Sequence, residues 1–189
     1  MRRFLRLAAA AWLLGLLAVP SVAQTLSPKD RLESAQYFAL VNRIDSFNAA
    51  MEAGDMVQIM GVVPPKVLDK IATTYGVTKE QLVAATQEQF TEVMKTVTFV
   101  SFKMDLESAT FFVLASGAPY ALIPTETVMD LGANGGKMRA TASTLGLLDG
   151  DTWYLVRTED GQQVQMLKEI YPEFADVEFP KGAMEPVTE

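Results

Sequence analysis

The stretch YALIPTETVMDLGANGGKMRATASTLGLLD, Tyr120 to Asp149, decides the fold because it contains two long predicted strands and the turn between them. Side chains alternate in character along Tyr120–Leu131 and again along Lys137–Asp149, as they do in half-buried strands. The intervening segment Gly132–Gly136 is rich in Gly and Asn, which accept the positive φ angles of tight turns. The stretch therefore predicts an antiparallel hairpin.

Shorter segments with the same period of two flank this hairpin. In the preceding segment one strand face is formed by Thr98, Val100, Phe102, Met104 and Leu106. Thr110–Ser116 is apolar on both faces, which is typical of a central strand. After a tight turn at Asp149–Thr152, a last strand is predicted over Trp153–Thr158.

Helices are predicted before the strands, where apolar residues recur every three or four positions. The first has a capping start at Ser27–Asp30, ends at Gly54 and carries a stripe formed by Tyr37, Leu40, Val41, Ile44, Phe47 and Met51. A short helical turn over Asp55–Met60 follows. The next helix runs from Pro64 to Gly76, and its inward residues are Val67, Leu68, Ile71 and Tyr75.

Two further helices are predicted. Thr78 and Gln81 form a capping box at the start of a third helix, which ends near Lys95–Val97. A C-terminal helix after Gly161 carries an apolar face of Val164, Met166, Leu167 and Ile170. The tail beyond Pro172 contains further Pro and Gly, and we expect it to be extended.

This order of elements predicts an α+β fold, in which N-terminal helices pack on a curved antiparallel sheet and a short helix ends the domain. A single domain is expected over residues 24–189, with a helical part at about 27–97, a sheet at about 98–158, and a helix with a tail at 161–189. With the strand DGDTWYLVR at Asp149–Arg157, the order resembles the NTF2-like superfamily of cone-shaped, cystatin-like folds. That superfamily includes ketosteroid isomerase-like enzymes and many ligand-binding or non-catalytic members. No catalytic motif matches position by position, so the resemblance implies a fold and carries over no site residue.

The first 23 residues have the pattern of a secretory signal peptide. Arg2, Arg3 and Arg6 precede the apolar run Leu7–Val19, and the small residues of Ser21–Ala23 suit a signal peptidase. The run has 13 residues, fewer than the roughly 20 that span a bilayer. We therefore expect cleavage after Ala23, export across the inner membrane to the periplasm, and no integral membrane segment after cleavage.

Composition excludes several kinds of chemistry. The chain has no His and no Cys, which excludes Ser-His-Asp and Cys-His triads, disulfides, and zinc sites built on imidazole or thiolate. Its net charge is −7, and removal of the signal peptide would take away three arginines and no acid. Because the remaining Lys and Arg are scattered, we expect neither nucleic acid nor an anionic membrane surface as a partner.

Three local motifs suggest functions that their context does not support. Ile71–Thr86 has the look of a DNA-binding helix-turn-helix, but its second helix offers a single basic residue, Lys79, against Glu80 and Glu88. Gly132–Lys137 is similar to a phosphate-binding loop, but Met138 stands where Ser or Thr is needed. Asp149–Asp151 begins like a calcium loop, but Trp153 occupies the next ligand position. We expect a helical hairpin, a strand hairpin and a turn, with no metal site and no cofactor.

The candidate site residues are polar side chains of the long hairpin. Tyr120, Glu126 and Asp130 have the same parity on one strand, and Arg139 on the adjoining strand is within reach of an acid. They could line a cavity, or they could form an exposed sheet face with a cross-strand ion pair, which is the interpretation we favour. Tyr37 and Tyr75 could point hydroxyls into a pocket or find backbone partners. The ten methionines could form an adaptable binding surface or fill gaps in the core.

Three functional hypotheses follow. The first is a non-enzymatic, exported binding protein whose partner is another protein or a small apolar ligand, held where the helices cover the sheet. The second is a cofactor-free isomerase or hydrolase, which would need a carboxylate buried beside a cavity. The third is an assembly or scaffold subunit of an envelope complex, docked through the C-terminal segment with Phe174, Phe179 and Pro180. A homodimer is compatible with each of them.

Overall fold

The computed structural model describes residues 32–132 and 135–187. Its helices are α1 (Ser34–Ala53), α2 (Met56–Gly61), α3 (Pro65–Tyr75), α4 (Lys79–Val93) and α5 (Gly161–Ile170). Its strands are β1 (Thr98–Met104), β2 (Thr110–Val113), β3 (Pro119–Asp130), β4 (Lys137–Asp149), β5 (Thr152–Arg157) and β6 (Ala183–Pro186). Helices followed by a strongly curled antiparallel sheet confirm the predicted α+β fold and its C-terminal helix. The predicted signal peptide and the capping start at Ser27–Asp30 lie outside the described residues.

Local sequence signals account for the helix ends. α1 ends where Gly54 adopts a φ of 65°, a left-handed conformation that glycine takes without the cost of a Cβ. α4 begins with the predicted capping box, in which the Gln81 N–H donates to Thr78 Oγ1 and the Thr78 N–H donates to Gln81 Oε1. Asp160 caps α5 by accepting from the backbone N–H groups of Gln162 and Gln163.

Two details of the predicted helices were wrong. Leu32 and Glu33 are not helical, so α1 begins at Ser34 and is not continuous with a start at Ser27. Tyr75, predicted to face inward, is 75% exposed. The apolar spacing continues into the last turn of α3, whereas the buried positions of that helix end at Ala72.

The sheet is built on the predicted hairpin. β3 and β4 pair antiparallel over their length, from Tyr120 opposite Leu147 to Asp130 opposite Lys137. β1 and β2 share the outer edge of β3, and β5 and β6 share the outer edge of β4. Each long strand therefore carries two short strands, one on each half of its free edge.

The short strands correct two predictions. β2 is not central, because β3 is its partner on one side and β4 lies beyond β3. It is apolar on both faces because Phe111 packs in one core and Phe112 against another. In β1 the register shifts between Phe99 and Ser101, which leaves Val100 51% exposed and half-buries Phe99 instead. A β-bulge of this kind breaks the simple alternation that the sequence suggested.

The two faces of the sheet contribute to two cores. We call the face that carries Ala121 and Ile123 the inner face; α1 covers it through Leu40 and Ile44. The opposite, outer face carries Tyr120, Leu145 and Leu147, which pack with residues of α3, α5 and the following segment, namely Val67, Leu167, Tyr171 and Phe174. Trp153 joins α1 to β5, because its indole N–H donates to the Gln36 carbonyl at 2.9 Å.

The C-terminal segment, which was predicted to be extended, contains a 3₁₀ turn and a short strand. A 3₁₀ turn covers Pro172–Phe174, and β6 pairs with β4 from Ala183 opposite Thr141 to Pro186 opposite Met138. Phe174 is buried and Phe179 packs partly buried against the same core. These two aromatic residues are thus packed within their own domain. In the described part of the chain, no helix combines the length and the apolarity needed to cross a membrane.

Candidate functional site

A cavity of about 710 Å³ lies along the inner face of the sheet, toward the half that contains Thr125 and Thr127, and its lining also includes Val67 and Leu167 of the outer-face core. All five described helices and the strands β1, β3, β4, β5 and β6 contribute to its lining. α1 covers the other half of this face at Leu40, which packs near Gly146: a Cβ added to Gly146 would lie in ordinary contact, 3.5 Å from Leu40 Cδ1. The cavity therefore opens where α1 no longer fills the sheet.

The lining is mainly apolar and rich in flexible side chains. Seven of the ten methionines contribute, among them Met51, Met104 and Met129. Four phenylalanines contribute as well, namely Phe47, Phe90, Phe99 and Phe102. The unbranched thioether side chain of Met adapts to ligands of different shape, and aromatic rings supply large apolar contact areas. Such a lining suits an apolar molecule.

Aromatic contacts fix part of the wall. The rings of Phe47 and Phe102 meet edge to face at a centroid distance of 5.4 Å. Phe90 of α4 stacks on Phe99 of β1 with the centroids 6.2 Å apart. None of the residues of α4 is fully buried, so this stacking is a principal contact of the helix with the sheet.

Hydroxyl groups line the sheet side of the cavity. Thr125 Oγ1 donates to the Ile123 carbonyl at 3.2 Å and lies 2.8 Å from Thr144 Oγ1. A hydroxyl has one proton, so Thr144 donates to Thr125 in this arrangement and both groups are satisfied. Thr127 lies two residues further along the same face and is 8% exposed.

Charge is confined to one end of the cavity. Of the described lining residues, two are charged: Arg157 at the end of β5 and Glu159 beyond it. They form an ion pair with each other through Arg157 Nη2 and Glu159 Oε1. The Arg157 side chain is 59% exposed and the Glu159 side chain is 30% exposed, so the pair lies at the rim. The cavity interior carries no net charge from these two residues.

The predicted candidate residues lie on the outer face, away from this lining. Glu126 and Arg139 are brought together: Arg139 Nε lies 3.2 Å from Glu126 Oε2, and Arg139 Nη1 lies 3.7 Å from Glu185 of β6. Asp130 accepts a hydrogen bond from the Gly132 N–H at 2.9 Å, which supports the turn after β3. Tyr120 shares their parity, but it lies six residues before Glu126, at the other end of the strand.

Tyr120 belongs to the core on the outer face of the sheet. Its ring stacks on Phe112 at 5.0 Å and meets Phe174 edge to face at 5.3 Å. Burial raises the pKa of its hydroxyl above the ordinary value, so the group stays protonated at neutral pH. The structure therefore brings Glu126 and Arg139 together and leaves Tyr120 and Asp130 apart from them.

The described part of the chain has few groups suited to acid-base catalysis or to metal binding at the cavity. Every fully buried polar residue among them is Thr or Ser, namely Thr125, Thr127, Ser143, Thr144 and Thr158. The acid at the cavity, Glu159, is paired and partly exposed. Within residues 32–132 and 135–187, no group of three or more Asp or Glu is arranged to hold a metal ion. The arrangement can enclose and orient a molecule.

Sequence reasoning offered the methionines as a possible binding surface but missed the sheet residues of the cavity. Thr125, Thr127 and Met129 have the parity opposite to Tyr120, so the signal was present in the alternation along β3. Acids and a base on the other parity suggest catalytic chemistry more strongly than hydroxyl and thioether groups do. Phe99 gave no such signal, because the bulge in β1 determines its direction.

Comparisons of this chain with protein-family models, with curated proteins and with solved structures gave no match.

Proposed function

We propose that this protein is an exported, periplasmic binding protein that holds a small apolar ligand in the cavity on the inner face of its sheet. The observation that carries the proposal is the cavity of about 710 Å³ with its lining of Met and Phe. Ligand pockets of roughly 300–1,000 Å³ with mainly apolar walls and few polar groups are typical of small-molecule sites. The protein would act by binding and release, without chemical conversion.

The size of the cavity supports a ligand rather than a packing defect. Protein interiors are close-packed, and voids larger than a water molecule are few in a domain. The cavity is open to solvent, so its apolar lining faces water and lacks such contacts while it is empty. A bound apolar molecule would supply those contacts.

The enzymatic alternative lacks a central group. A cofactor-free isomerase or hydrolase needs a carboxylate whose pKa is raised by burial beside the substrate. No Asp or Glu is fully buried in the described ranges, and Glu159 at the rim is already paired with Arg157. We therefore prefer binding without catalysis.

Sequence and fold support the remaining parts of the proposal. Export rests on the signal-peptide pattern that ends at Ala23. An NTF2-like architecture is supported by helices that precede a strongly curled antiparallel sheet and cover one of its faces. The proposed docking role of the C-terminal segment loses support, because Phe174 and Phe179 pack in their own core.

Native mass spectrometry of the mature protein, purified gently from the exported fraction, tests the proposal. We expect a mass excess that disappears on denaturation and corresponds to a small molecule. The same spectrum reports the cleavage site and the oligomeric state. A second measurement follows the fluorescence of a naphthylamine dye that brightens in apolar surroundings.

A pair of variants locates the binding. Ala140 lies on the cavity wall opposite Thr127, and Ala140→Phe fills part of the space. We expect it to weaken dye binding by about tenfold or more, because overpacking costs about 1–3 kcal/mol. Ala49 is exposed on α1, so Ala49→Phe adds the same volume outside the cavity and leaves binding unchanged. Equal dye binding by both variants, or a protein that binds no dye, would overturn the proposal.

A further inference from the structure

The hydroxyl of Thr127 has no hydrogen-bond partner in the part of the chain that the structure describes. The residue is 8% exposed, lies on the inner face of β3 and lines the cavity. Its cross-strand neighbours are Phe102 on β1 and Ala140 on β4, neither of which has a polar side chain. This oxygen is not one of the fully buried side-chain atoms that lack a partner in the described chain, so water in the cavity can reach it, and a ligand that displaces this water must replace its hydrogen bond or leave the hydroxyl unsatisfied.

The neighbouring threonines, Thr125 and Thr144, do have hydrogen-bond partners. Thr125 and Thr144 satisfy each other at 2.8 Å, and Thr125 also donates to the Ile123 carbonyl. The same strand face thus contains a closed hydroxyl pair and, two residues further on, a single hydroxyl directed into the open space. The contrast separates a structural role for Thr125 from a role toward a ligand for Thr127.

The cavity offers no unpaired charge to a ligand. The charged lining residues of the described chain, Arg157 and Glu159, are paired with each other at the rim. A ligand carboxylate in the interior would be desolvated without a cation to compensate it, and a ligand ammonium would lack an anion. An uncharged ligand meets neither cost.

We infer that the ligand is an uncharged, largely apolar molecule with one hydrogen-bonding group, such as a hydroxyl or carbonyl, that pairs with the Thr127 hydroxyl. This inference rests on the proposed function and deepens it by naming the chemical class. The Met- and Phe-lined walls enclose the apolar body, and Thr127 fixes the position of the polar group. A hydroxyl can donate or accept, so both a ligand alcohol and a ligand carbonyl fit.

Displacement of the naphthylamine dye by three matched compounds tests the inference on the mature protein. The probes are dodecanol, tridecane, in which a methyl replaces the hydroxyl, and dodecanoate, which is ionised at neutral pH. Because transfer from water favours a methyl over a hydroxyl, the quantity compared is the ratio of dodecanol affinity to tridecane affinity, which we expect to be about three- to tenfold higher in the wild type than in Thr127→Val, the gain that one net hydrogen bond gives. Dodecanoate should bind more weakly than dodecanol.

Three variants assign the preference to one hydroxyl. Thr127→Val, which keeps the shape of the side chain, should lower the ratio of dodecanol affinity to tridecane affinity and leave tridecane binding itself unchanged. Thr127→Ser, which keeps the hydroxyl, should retain the wild-type ratio. Thr98→Val, at an exposed position of β1, is the matched control and should also retain it.

The outcomes separate the inference from the proposed function. If Thr127→Val keeps the wild-type ratio of dodecanol affinity to tridecane affinity, the assignment of Thr127 is wrong while apolar binding stands. If dodecanoate binds most tightly, the uncharged class is wrong. If neither the dye nor any compound binds, the proposed function fails, and the inference fails with it.

Discussion

The Tyr171 hydroxyl donates a hydrogen bond to Asp149 Oδ2 at 2.9 Å, which joins the segment after α5 to the turn between β4 and β5. Lys66 of α3 lies 2.8 Å from the same oxygen and places its ammonium group 5.0 Å from the centre of the Tyr171 ring. Three segments that are distant in sequence thus meet at one carboxylate, beside the core on the outer face of the sheet.

Asp149 should make stability depend on pH in the acid range. The hydrogen bond from Lys66 lowers the pKa of this carboxyl below its ordinary value, and the Tyr171 hydroxyl lowers it further. Because the folded pKa lies below the unfolded one, the carboxylate stabilises the fold above about pH 4, and this contribution is lost as the pH falls through the folded pKa. We expect Asp149→Asn to lower the free energy of unfolding at neutral pH by about 1 kcal/mol, given its partial exposure.

Urea unfolding at a series of pH values measures this effect. The difference between wild type and Asp149→Asn should shrink as the pH falls below about 4. Asp151→Asn, an exposed position in the same turn, removes the same charge and should follow the wild-type curve. A constant difference at all pH values would show that Asp149 does not act through its charge.

Thr127→Val should leave the stability of the ligand-free protein nearly unchanged. The Thr127 hydroxyl has no hydrogen-bond partner in the described chain and is not one of its fully buried unsatisfied atoms, so water satisfies it in the empty cavity. We expect the free energy of unfolding to change by less than about 1 kcal/mol, measured by urea unfolding after removal of bound ligand.

Thr125→Val provides the contrast, because it leaves Thr144 without its partner at 2.8 Å. It should destabilise the protein by about 1–2 kcal/mol. If both substitutions destabilise equally, the Thr127 hydroxyl is hydrogen-bonded within the protein, as Thr125 is.

Helix α4 should open more readily than α1. No residue of α4 is fully buried, whereas α1 buries Leu40, Ile44 and Ala50. Because local opening exposes little apolar surface in such a helix, we expect the opening free energy of α4 amides to be at least about 1 kcal/mol below that of α1 amides. Hydrogen exchange followed by mass spectrometry measures both helices in one experiment.

Phe90 is the residue that should limit this opening, since its ring stacks on Phe99 at 6.2 Å. Phe90→Ala should speed exchange in α4 and leave α1 unchanged. Phe38→Ala, at a position that is 64% exposed on α1, should change neither helix. Equal protection of α1 and α4 in the wild type would contradict the expected order.

Gly146 should accept one added methyl and no more. A Cβ there would lie 3.5 Å from Ile123 Cδ1 and 3.5 Å from Leu40 Cδ1, which is ordinary van der Waals contact. We expect Gly146→Ala to change stability by less than about 1 kcal/mol and Gly146→Val to cost about 1–3 kcal/mol through overpacking. Thermal unfolding of Gly146→Ala and Gly146→Val measures this difference in stability. Equal unfolding midpoints for the two variants would show that α1 moves away from the sheet at no cost.

Much of the fold could be predicted because its signals are local. The capping box of Thr78 and Gln81, the stop at Gly54 and the alternation along β3 and β4 depend on neighbouring residues alone. β6 could not be predicted, because all four of its residues are exposed and leave no apolar pattern. Its pairing with β4 uses backbone hydrogen bonds, which depend little on the identity of the side chains, and it tolerates Pro186 at its end.

The candidate site could be predicted only as two alternating faces of a strand. The sequence placed Tyr120, Glu126 and Asp130 on one face of β3 and Thr125 and Thr127 on the other, because the period of two is a property of the strand itself.

Which face encloses a cavity was decided by tertiary structure. The bulge in β1 turned Phe99 inward, and α1 filled one half of the inner face while leaving the other half open. The physical reason is that the alternation of side chains along a strand depends on neighbouring residues alone. An open space depends on where helices that are distant in sequence stop packing against the sheet. The lone hydroxyl of Thr127 is significant only in that tertiary context.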